Sequence, residues 1–364
     1  MMKIAIVTLF GFSNYGNRLQ NYALQEAIKT EGHDVTSLVA NSSKEILKSK
    51  VKSFITRQNG KISLVPQFER IRENNIKSFS EQYITSQLII RKDRKFDLSL
   101  EDQFDCFVVG SDQVWNPLFW EKEGFERSAN NYLLQFVRDK KKIAYAASFG
   151  IPDIPEKYHT LFKDALSRFD MVTLREEIGL QIVKDLVGLD TRVVLDPTML
   201  LSAEKWRSIE PGTVNTKRKY VVLYFLGKQS KQIYDEIWHF ARKNDAEIID
   251  MMDESNKDIY TMGPEAFIEY IDKAMMCFTD SFHATVFSIL FHTPFITYDR
   301  KHANNSNMNS RIETLLGKFN LKHRLYRGSE SLQEMFVDYS EADGILNFEK
   351  EQSLNVLNEA LTVE

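Results

Sequence analysis

The chain has 364 residues, of which 43% are hydrophobic and 12% aromatic, so it can bury a large core and exceeds the usual length of one domain. Its formal charge is -4, from 47 basic and 51 acidic side chains, which excludes the broad positive field that draws proteins onto nucleic acid. We therefore expect two domains and no nucleic-acid partner.

Cysteine usage and the first residues bear on the compartment. Cys106 and Cys277 each lie in an apolar, strand-like run, so they form neither a disulfide framework nor a Cys-x-x-Cys motif, and burial in the core is expected. Residues 1–7 pass directly into a strand-like run without an apolar signal core, and no window holds about 18 consecutive apolar residues. These features predict a cytoplasmic protein.

Strand and helix patterns alternate along most of the chain. Strands are predicted at 4–8, 35–39, 104–109, 142–148, 171–174, 192–195, 220–226, 247–251, 276–279 and 294–298. Helices are predicted at 18–30, 156–169, 177–186, 230–243, 264–273, 282–291 and 310–319. Residues 202–219 have a linker-like composition.

This alternation is typical of α/β proteins with parallel sheets. We predict an N-terminal α/β domain over 1–205, a C-terminal α/β domain over 216–345 and a C-terminal helix over 346–364. Two doubly wound, Rossmann-like halves that face each other across a cleft would bind ligands at the carboxyl ends of their strands.

A mostly helical insertion is predicted at 41–83. Its basic residues are Lys44, Lys48, Lys50, Lys52 and Arg57, and they alternate with apolar side chains. Such a helix can lie on an anionic membrane surface, which would suit a lipid-linked substrate. A solvated helical insertion is the more common explanation of this composition.

Two loops at predicted strand ends suit a sugar or an anion. After the first strand, Gly16 permits a tight turn and Asn14 or Asn17 can cap the next helix, although the spacing matches neither Gly-x-Gly-x-x-Gly nor a P-loop. The sequence Gly110-Ser111-Asp112, followed by Trp115 and Asn116, resembles a carbohydrate subsite in which an indole stacks on a sugar ring. Capped turns with a core tryptophan explain both loops equally well.

Two further strand ends carry titratable groups. Arg175 follows a strand and can contact phosphate or carboxylate, while Glu176 and Glu177 suit the first turn of a helix; a surface arginine paired with a helix glutamate is the alternative. His283 follows Ser281 at the start of an apolar helix, where backbone N–H groups favour anions. A hydrogen-bonded core histidine is the alternative there.

Taken together, these segments resemble the polysaccharide pyruvyl transferase family over roughly residues 3–317. The motifs that carry the resemblance are NYGNRLQNYALQ (14–25), VGSDQVWN (109–116), ASFG (147–150), REEIG (175–179), LDPT (195–198) and DSFHATVFS (280–288). Each motif is weak by itself, but their order and spacing are specific.

The resemblance implies a fold similar to GT-B glycosyltransferases and a ketal pyruvyltransferase activity. Such enzymes move the pyruvyl group of phosphoenolpyruvate onto two hydroxyls of a sugar in a capsule, exopolysaccharide or cell-wall glycan, often as a lipid-linked intermediate. No metal or organic cofactor is implied, and the site of action would be the cytoplasm, at the inner face of the membrane. A GT-B glycosyltransferase that uses a nucleotide sugar and a sugar-binding protein without catalysis are the alternatives.

The chemistry needs a proton donor and a charge clamp. His283 is the expected donor and Arg175, with the N–H groups at 281–283, the expected clamp. The predicted substrate-binding residues are Asn14, Tyr15, Gly16, Asn17, Arg18, Gln20, Gly110, Ser111, Asp112, Trp115, Asn116, Ser148, Ser281, Phe282 and Arg311.

One position departs from the family pattern. Many members carry an arginine two residues before the histidine, and here that residue is Ser281. We expect Arg311 to supply the missing charge, with Arg300 and Arg18 as alternatives. The non-functional explanation of Arg311 is a surface residue at the start of a helix.

Overall fold

The computed structural model describes residues 1–11, 14–41, 56–58, 61–63, 67–214, 218–300, 310–328 and 337–362, with the backbone alone described at 56–58 and 61–63. The chain divides into two compact units. The N-terminal unit comprises Met1–Leu200 and Ser353–Glu364, and the C-terminal unit comprises Leu201–Gln352. The last residues of the chain are thus assigned to the first unit, which the sequence patterns did not predict.

Within the described residues, the N-terminal unit is built on a seven-stranded parallel sheet. Its strands are β1 (Lys3–Val7), β2 (Asp34–Asn41), β5 (Ser86–Ile90), β6 (Cys106–Val109), β7 (Lys141–Ala147), β8 (Met171–Leu174) and β9 (Arg192–Val193), in the order β5-β2-β1-β6-β7-β8-β9. A separate antiparallel pair consists of β3 (Thr56–Gln58) and β4 (Lys61–Ser63).

The helices of this unit connect and cover the strands. They are α1 (Tyr15–Thr30), α2 (Gln67–Tyr83), α3 (Pro117–Glu123), α4 (Phe125–Tyr132), α5 (His159–Leu166) and α6 (Glu177–Val187). Short 3-10 turns occur at Leu98–Leu100, Glu156–Tyr158 and Pro197–Met199. Strand β6 is buried along its whole length and consists of apolar residues only. This is expected for a parallel strand that is covered on both faces.

The C-terminal unit is built on a four-stranded parallel sheet within the described residues. Its strands are β10 (Tyr220–Tyr224), β11 (Glu247–Asp250), β12 (Met276–Thr279) and β13 (Phe295–Thr297), in the order β11-β10-β12-β13. Its helices are α7 (Ala203–Arg207), α8 (Lys231–Lys243), α9 (Lys257–Tyr260), α10 (Pro264–Asp272), α11 (Phe282–Phe291) and α12 (Ser310–Lys318), with a 3-10 turn at Lys322–Arg324. Helix α13 (Ser340–Thr362) follows.

The predicted α/β class is confirmed, and so is the burial of both cysteines. Cys106 and Cys277 are free thiols with no exposed surface, and burial raises the pKa of each to about 12. Among the described residues, no helix combines the length and the apolarity needed to cross a bilayer.

Several predicted segments differ from the structure, among them the C-terminal helix, which spans Ser340–Thr362 and not 346–364. Helix α1 begins at Tyr15, three residues before the predicted start, because Asn14 caps it. The described part of the predicted helical insertion contains the β3–β4 pair as well as α2, and its basic stretch at 42–55 lies outside the described residues. The predicted linker contains α7, whose Trp206 is fully buried.

In each sheet, the order in which successive strands are added reverses at one place, called the switch point. The order reverses between β1 and β6 in the first unit and between β10 and β12 in the second. In open parallel sheets, ligands bind beside the carboxyl ends of the strands at such a switch point. The loops after β1, β6, β10 and β12 are therefore the expected places for a ligand-binding site.

Glu210, in the loop after α7, should make the stability of the protein depend on pH. Its side chain is 9% exposed and 3.8 Å from the Lys273 ammonium. Burial, and then the charge of Asp272, raise the pKa of Glu210 from 4.5 to about 7. Because the folded state binds this proton more tightly, the contribution is full below pH 4.5 and is lost as the pH rises through about 7.

We therefore expect Glu210→Gln to flatten the fall in the free energy of unfolding between about pH 5 and 8. Urea unfolding across this range measures the effect. Glu254→Gln, at an exposed carboxylate, is the control and should follow the wild-type pH profile. Identical profiles for Glu210→Gln and wild type would contradict the assignment.

Candidate active site

At the carboxyl edge of the first sheet, the loop after β1 leads into a capped helix. The Asn14 side chain accepts a hydrogen bond from the Gly16 N–H at 2.8 Å, so Asn14 is the cap and Asn17 lies in the first turn. Tyr15 is fully buried, and the Arg72 guanidinium lies 4.5 Å from the centre of its ring. Asn14, Tyr15 and Gly16 thus shape the backbone at this edge.

Gln20 joins the loops after β1 and β6. Its amide nitrogen donates to the Thr8 hydroxyl at 2.8 Å, and its amide oxygen accepts from the Ser111 N–H at 3.0 Å. Thr8 in turn donates to the carbonyl oxygen of Ser111 at 3.1 Å. The two loops follow β1 and β6, the strands that flank the switch point. Gln20 therefore holds the loops on either side of the switch point together.

Arg175 is the centre of a buried ion-pair network. Nη1 donates to Asp196 Oδ2 at 3.0 Å and Nη2 donates to Asp112 Oδ1 at 3.1 Å, and all three side chains are nearly inaccessible. Burial alone would lower the pKa of Arg175, but the charges of Asp112 and Asp196 outweigh it and raise this pKa. The alternative of a surface arginine paired with a helix glutamate is wrong.

The same network takes in Ser111 and Thr198. The Ser111 hydroxyl lies 3.0 Å from both the Ala146 carbonyl oxygen and Asp196 Oδ2, and these two acceptors share its single proton. Asp196 Oδ1 accepts from the N–H of Thr198 at 3.1 Å and from its hydroxyl at 2.6 Å. The Asp196 carboxylate is thereby satisfied on both oxygens.

Glu176 holds the loop after β7. Its Oε1 accepts from the Ser148 hydroxyl at 2.9 Å, from the Phe149 N–H at 3.0 Å and from the Gly150 N–H at 3.2 Å. Glu176 stands at the N-cap of α6 rather than in its first turn, where only Glu177 lies. A role for Glu176 in holding another loop was not predicted from the sequence. The only sequence signal for it is the position of Glu176 directly after Arg175 at a strand end.

Gly110 and Trp115 serve the packing of this edge. Gly110 has a φ of 120°, and a Cβ there would collide with the carbonyl oxygen of Tyr145, so only glycine fits. The Trp115 indole is fully buried, packs against Phe149 and donates to the Tyr132 carbonyl oxygen at 3.0 Å. The expected stacking of this indole on a sugar is wrong for this structure, because the ring has no exposed face.

Asn116 caps α3. Its side-chain oxygen accepts from the Leu118 N–H at 3.1 Å, and its amide nitrogen donates to Gln113 at 3.0 Å. The predicted residues from 14 to 175 follow strands of one parallel sheet, and Gln20, Ser111, Asp112 and Arg175 belong to one connected network. Their roles in binding substrate stay predictions.

In the second unit, the carboxyl end of β12 leads into α11 through a capped corner. Ser281 is the N-cap, and its hydroxyl accepts from the Ala284 N–H at 3.5 Å. The Ser281 N–H donates to the Thr279 hydroxyl at 2.9 Å, and Thr285 donates back to the Ser281 carbonyl oxygen at 3.0 Å. A serine at this position stabilises the start of the helix in a way that an arginine cannot.

His283 and Arg311 both contact the Phe282 ring. The imidazole and phenyl rings meet edge to face with centroids 5.3 Å apart, and the Arg311 guanidinium carbon lies 5.9 Å from the Phe282 ring centre. All three side chains are more than nine-tenths buried. Arg311 is therefore a neighbour of the histidine corner and not a surface residue.

Arg300 also lies at this corner, but it is engaged by Asp280. Its Nη2 donates to the Asp280 carbonyl oxygen at 2.8 Å, and its Nε lies 3.3 Å from Asp280 Oδ2. The Asp280 carboxylate also accepts from the N–H groups of Leu226 and Gly227 at 2.7 and 2.8 Å. Asp280 thus ties the loops after β10 and β12 across the second switch point.

Comparison with solved structures defines the class of fold. The putative UDP-N-acetylglucosamine 2-epimerase of Listeria monocytogenes matches with a TM-score of 0.52 and 12% identity, over 99% of this chain and 97% of that one. The UDP-GlcNAc 2-epimerase of Neisseria meningitidis, solved with UDP-GlcNAc bound, matches with a TM-score of 0.50 and 12% identity, over 99% of both chains. At this identity the likeness shows the GT-B-like α/β fold alone.

The family follows from the sequence profile. The profile of the polysaccharide pyruvyl transferase family matches residues 14–302. The chain belongs to this family, which supports a transferase that acts on polysaccharide. Comparison with curated proteins gives no match.

Loss of the Arg175 guanidinium should strongly destabilise the first unit. Arg175→Met leaves the buried carboxylates of Asp112 and Asp196 without their shared partner, which typically costs about 3–5 kcal/mol. Urea unfolding measures this change. Arg168→Met, at an exposed arginine, is the matched control, and equal stability of both variants would show that the ion pairs do not hold these loops.

Proposed function

We propose that this protein transfers the pyruvyl group of phosphoenolpyruvate onto two hydroxyls of one sugar in a surface polysaccharide precursor and forms a cyclic ketal. The observation that carries the proposal is the family match over 14–302, which includes His283 in the first turn of α11. The geometry of the corner around His283 supports acid catalysis beside an anion.

The reaction forms three bonds at carbon, breaks the C2–O bond to phosphate and needs no redox partner. His283 donates a proton to C3 of the enol, and one sugar hydroxyl adds to the cationic C2 while its proton returns to the imidazole. The second hydroxyl then attacks C2, the C2–O bond to phosphate breaks, and the remaining proton leaves with inorganic phosphate. Because His283 is buried, little bulk water reaches the imidazole, and water would otherwise trap the cationic C2 of the intermediate.

The anionic groups of the donor need positive charge at the same corner. The first turn of α11 directs backbone dipoles at such a group, and the Arg311 guanidinium carbon lies 5.9 Å from the ring centre of Phe282 in that turn, whereas Arg300 donates to Asp280. We assign the clamp to Arg311 rather than to Arg300. Arg175, with both terminal nitrogens on carboxylates, is proposed as a positioning residue.

The acceptor is proposed to be a lipid-linked glycan intermediate for a capsule or exopolysaccharide, used at the cytoplasmic face of the membrane. The support is the family, whose name specifies polysaccharide. No metal or organic cofactor enters the proposed steps.

His283→Gln should lower kcat by about 10²- to 10⁴-fold, because it removes the general acid. The assay incubates the protein with phosphoenolpyruvate and a panel of lipid-linked and nitrophenyl glycosides, and mass spectrometry detects the added pyruvyl group. His292→Asn is the matched control, because His292 lies at the other end of α11 and bonds Asp343 at 2.7 Å.

The same assay distinguishes the alternatives. Release of nucleoside diphosphate from a nucleotide sugar, without phosphate release from phosphoenolpyruvate, would assign the chain to glycosyl transfer. Glycan binding with no turnover, unaltered by His283→Gln, would make it a binding protein. Wild-type transfer by His283→Gln would remove His283 from the reaction.

Arg311→Ala should raise KM for phosphoenolpyruvate by about 10- to 100-fold with a smaller effect on kcat. The reason is the loss of a charge-assisted contact, typically about 1.5–3 kcal/mol. Steady-state kinetics with varied donor measure it. Arg327→Ala, at an exposed arginine 3.9 Å from Asp299, is the control, and unchanged KM in Arg311→Ala would exclude Arg311 from the clamp.

A further inference from the structure

Arg18 is a fully buried cation whose contacts are incomplete. It lies near the start of α1, at the carboxyl edge of the first sheet, and has no exposed surface. Nη2 donates to the Leu9 carbonyl oxygen, and the guanidinium carbon lies 3.9 Å from the centre of the Phe10 ring. Nε and Nη1 have no hydrogen-bond partner among the residues that the structure describes.

The contrast with Arg175 shows what Arg18 lacks. Arg175 donates to two buried carboxylates in the same unit, whereas the Asp112 carboxylate acts on Arg18 through space and accepts its guanidinium hydrogen bond from Arg175. A buried charge without a hydrogen-bonded counter-ion is costly, and an ion or ligand that binds there would offset that cost.

Arg18 keeps its charge at neutral pH. Burial lowers the pKa of Arg18 to about 9, and the nearby Tyr132 and Asp112 oppose this change. The cation therefore persists at pH 7, and an anion that reaches it gains both charge neutralisation and the N–H donors of Nε and Nη1.

A second buried polar atom lies at the same helix turn. The side-chain oxygen of Asn17 also has no hydrogen-bond partner among the described residues. An unmatched acceptor in the residue next to one with unmatched donors suits a ligand that carries both a hydroxyl and an oxyanion. Leu9, Phe10 and Gly11 are partly exposed, so the guanidinium lies only one layer below the surface.

We propose that Arg18 binds a phosphate group carried by the sugar acceptor, and that Asn17 accepts a hydrogen bond from one of the acceptor hydroxyls. The assignment of this phosphate to the acceptor rests on the proposed function, whereas phosphate binding by Arg18 does not. Phosphoenolpyruvate has no hydroxyl to offer Asn17, which favours the acceptor as the source.

The first test measures binding by isothermal titration with three probes, which are inorganic phosphate, glucose 1-phosphate and phosphoenolpyruvate. Arg18→Met should weaken inorganic phosphate and glucose 1-phosphate by at least about tenfold, as loss of one charge-assisted contact implies, and should leave phosphoenolpyruvate nearly unchanged. Asn17→Ala should weaken glucose 1-phosphate but not inorganic phosphate.

The second test measures thermal unfolding without ligand. If Arg18 awaits a ligand, Arg18→Met removes an uncompensated charge and should raise Tm by a few degrees. Arg324→Met is the matched control, because Arg324 is 1% exposed but its Nε, unlike that of Arg18, has a partner, the Phe295 carbonyl oxygen at 2.7 Å. This control should lower Tm and leave binding of all probes unchanged.

Several results would overturn the proposal. They are a failure of both phosphate probes to bind the wild-type protein, equal affinities in Arg18→Met, and a lower Tm in that variant, which would make Arg18 structural. Loss of phosphoenolpyruvate binding alone would assign the charge to the donor. Arg18-dependent phosphate binding in a protein without pyruvyl transfer would keep this subsite and remove the proposed function instead.

Discussion

The shared contact of one guanidinium with two buried carboxylates organises the carboxyl edge of the N-terminal sheet. Arg175 follows β8, Asp112 lies in the loop after β6, and Asp196 follows β9, so a single side chain connects three strand ends. Loops at this edge have left the strand ladder, and their backbone groups need other partners. The polar side chains of this network supply those partners and fix the loops around the switch point.

The two units hold the loops at their strand ends in place with different side-chain contacts. The first uses a side-chain network around Arg175, whereas the second uses the Ser281 cap and the Asp280 carboxylate, which accepts two backbone N–H groups. In the second unit the helix start is thereby stabilised by a neutral side chain. Positive charge is left to Arg300, which Asp280 engages, and to Arg311, which packs on Phe282.

Buried charge in this protein divides into satisfied and unsatisfied groups. Arg175 belongs to the first class, and its pKa is raised by the carboxylates that it bonds. Arg18 belongs to the second, and its pKa is lowered by burial. A protein tolerates the second class at a cost in stability, and functional sites are where that cost is usually found. The contacts distinguish the two arginines: Arg175 donates to two carboxylates, whereas Nε and Nη1 of Arg18 have no hydrogen-bond partner among the described residues.

The strongly periodic elements were predictable from sequence to the residue. Strands β8 and β12 and helix α11 have the predicted bounds, because a continuous apolar pattern and a capping residue define them locally. Strand β5 was missed because it is an edge strand whose Leu88 and Ile90 are half exposed, so burial imposes no clear pattern on it.

The sequence by itself determined the α/β class, the family and the strand ends at which polar residues gather, since these depend on local periodicity and on motif order. Tertiary structure decided what each polar residue does. Trp115 became core, Glu176 became a partner of the loop after β7, and Arg175 found two aspartates that are 63 and 21 residues away in sequence. Hydrogen bonds form between groups that the fold brings within 3 Å, and no local pattern encodes which distant strand ends will meet.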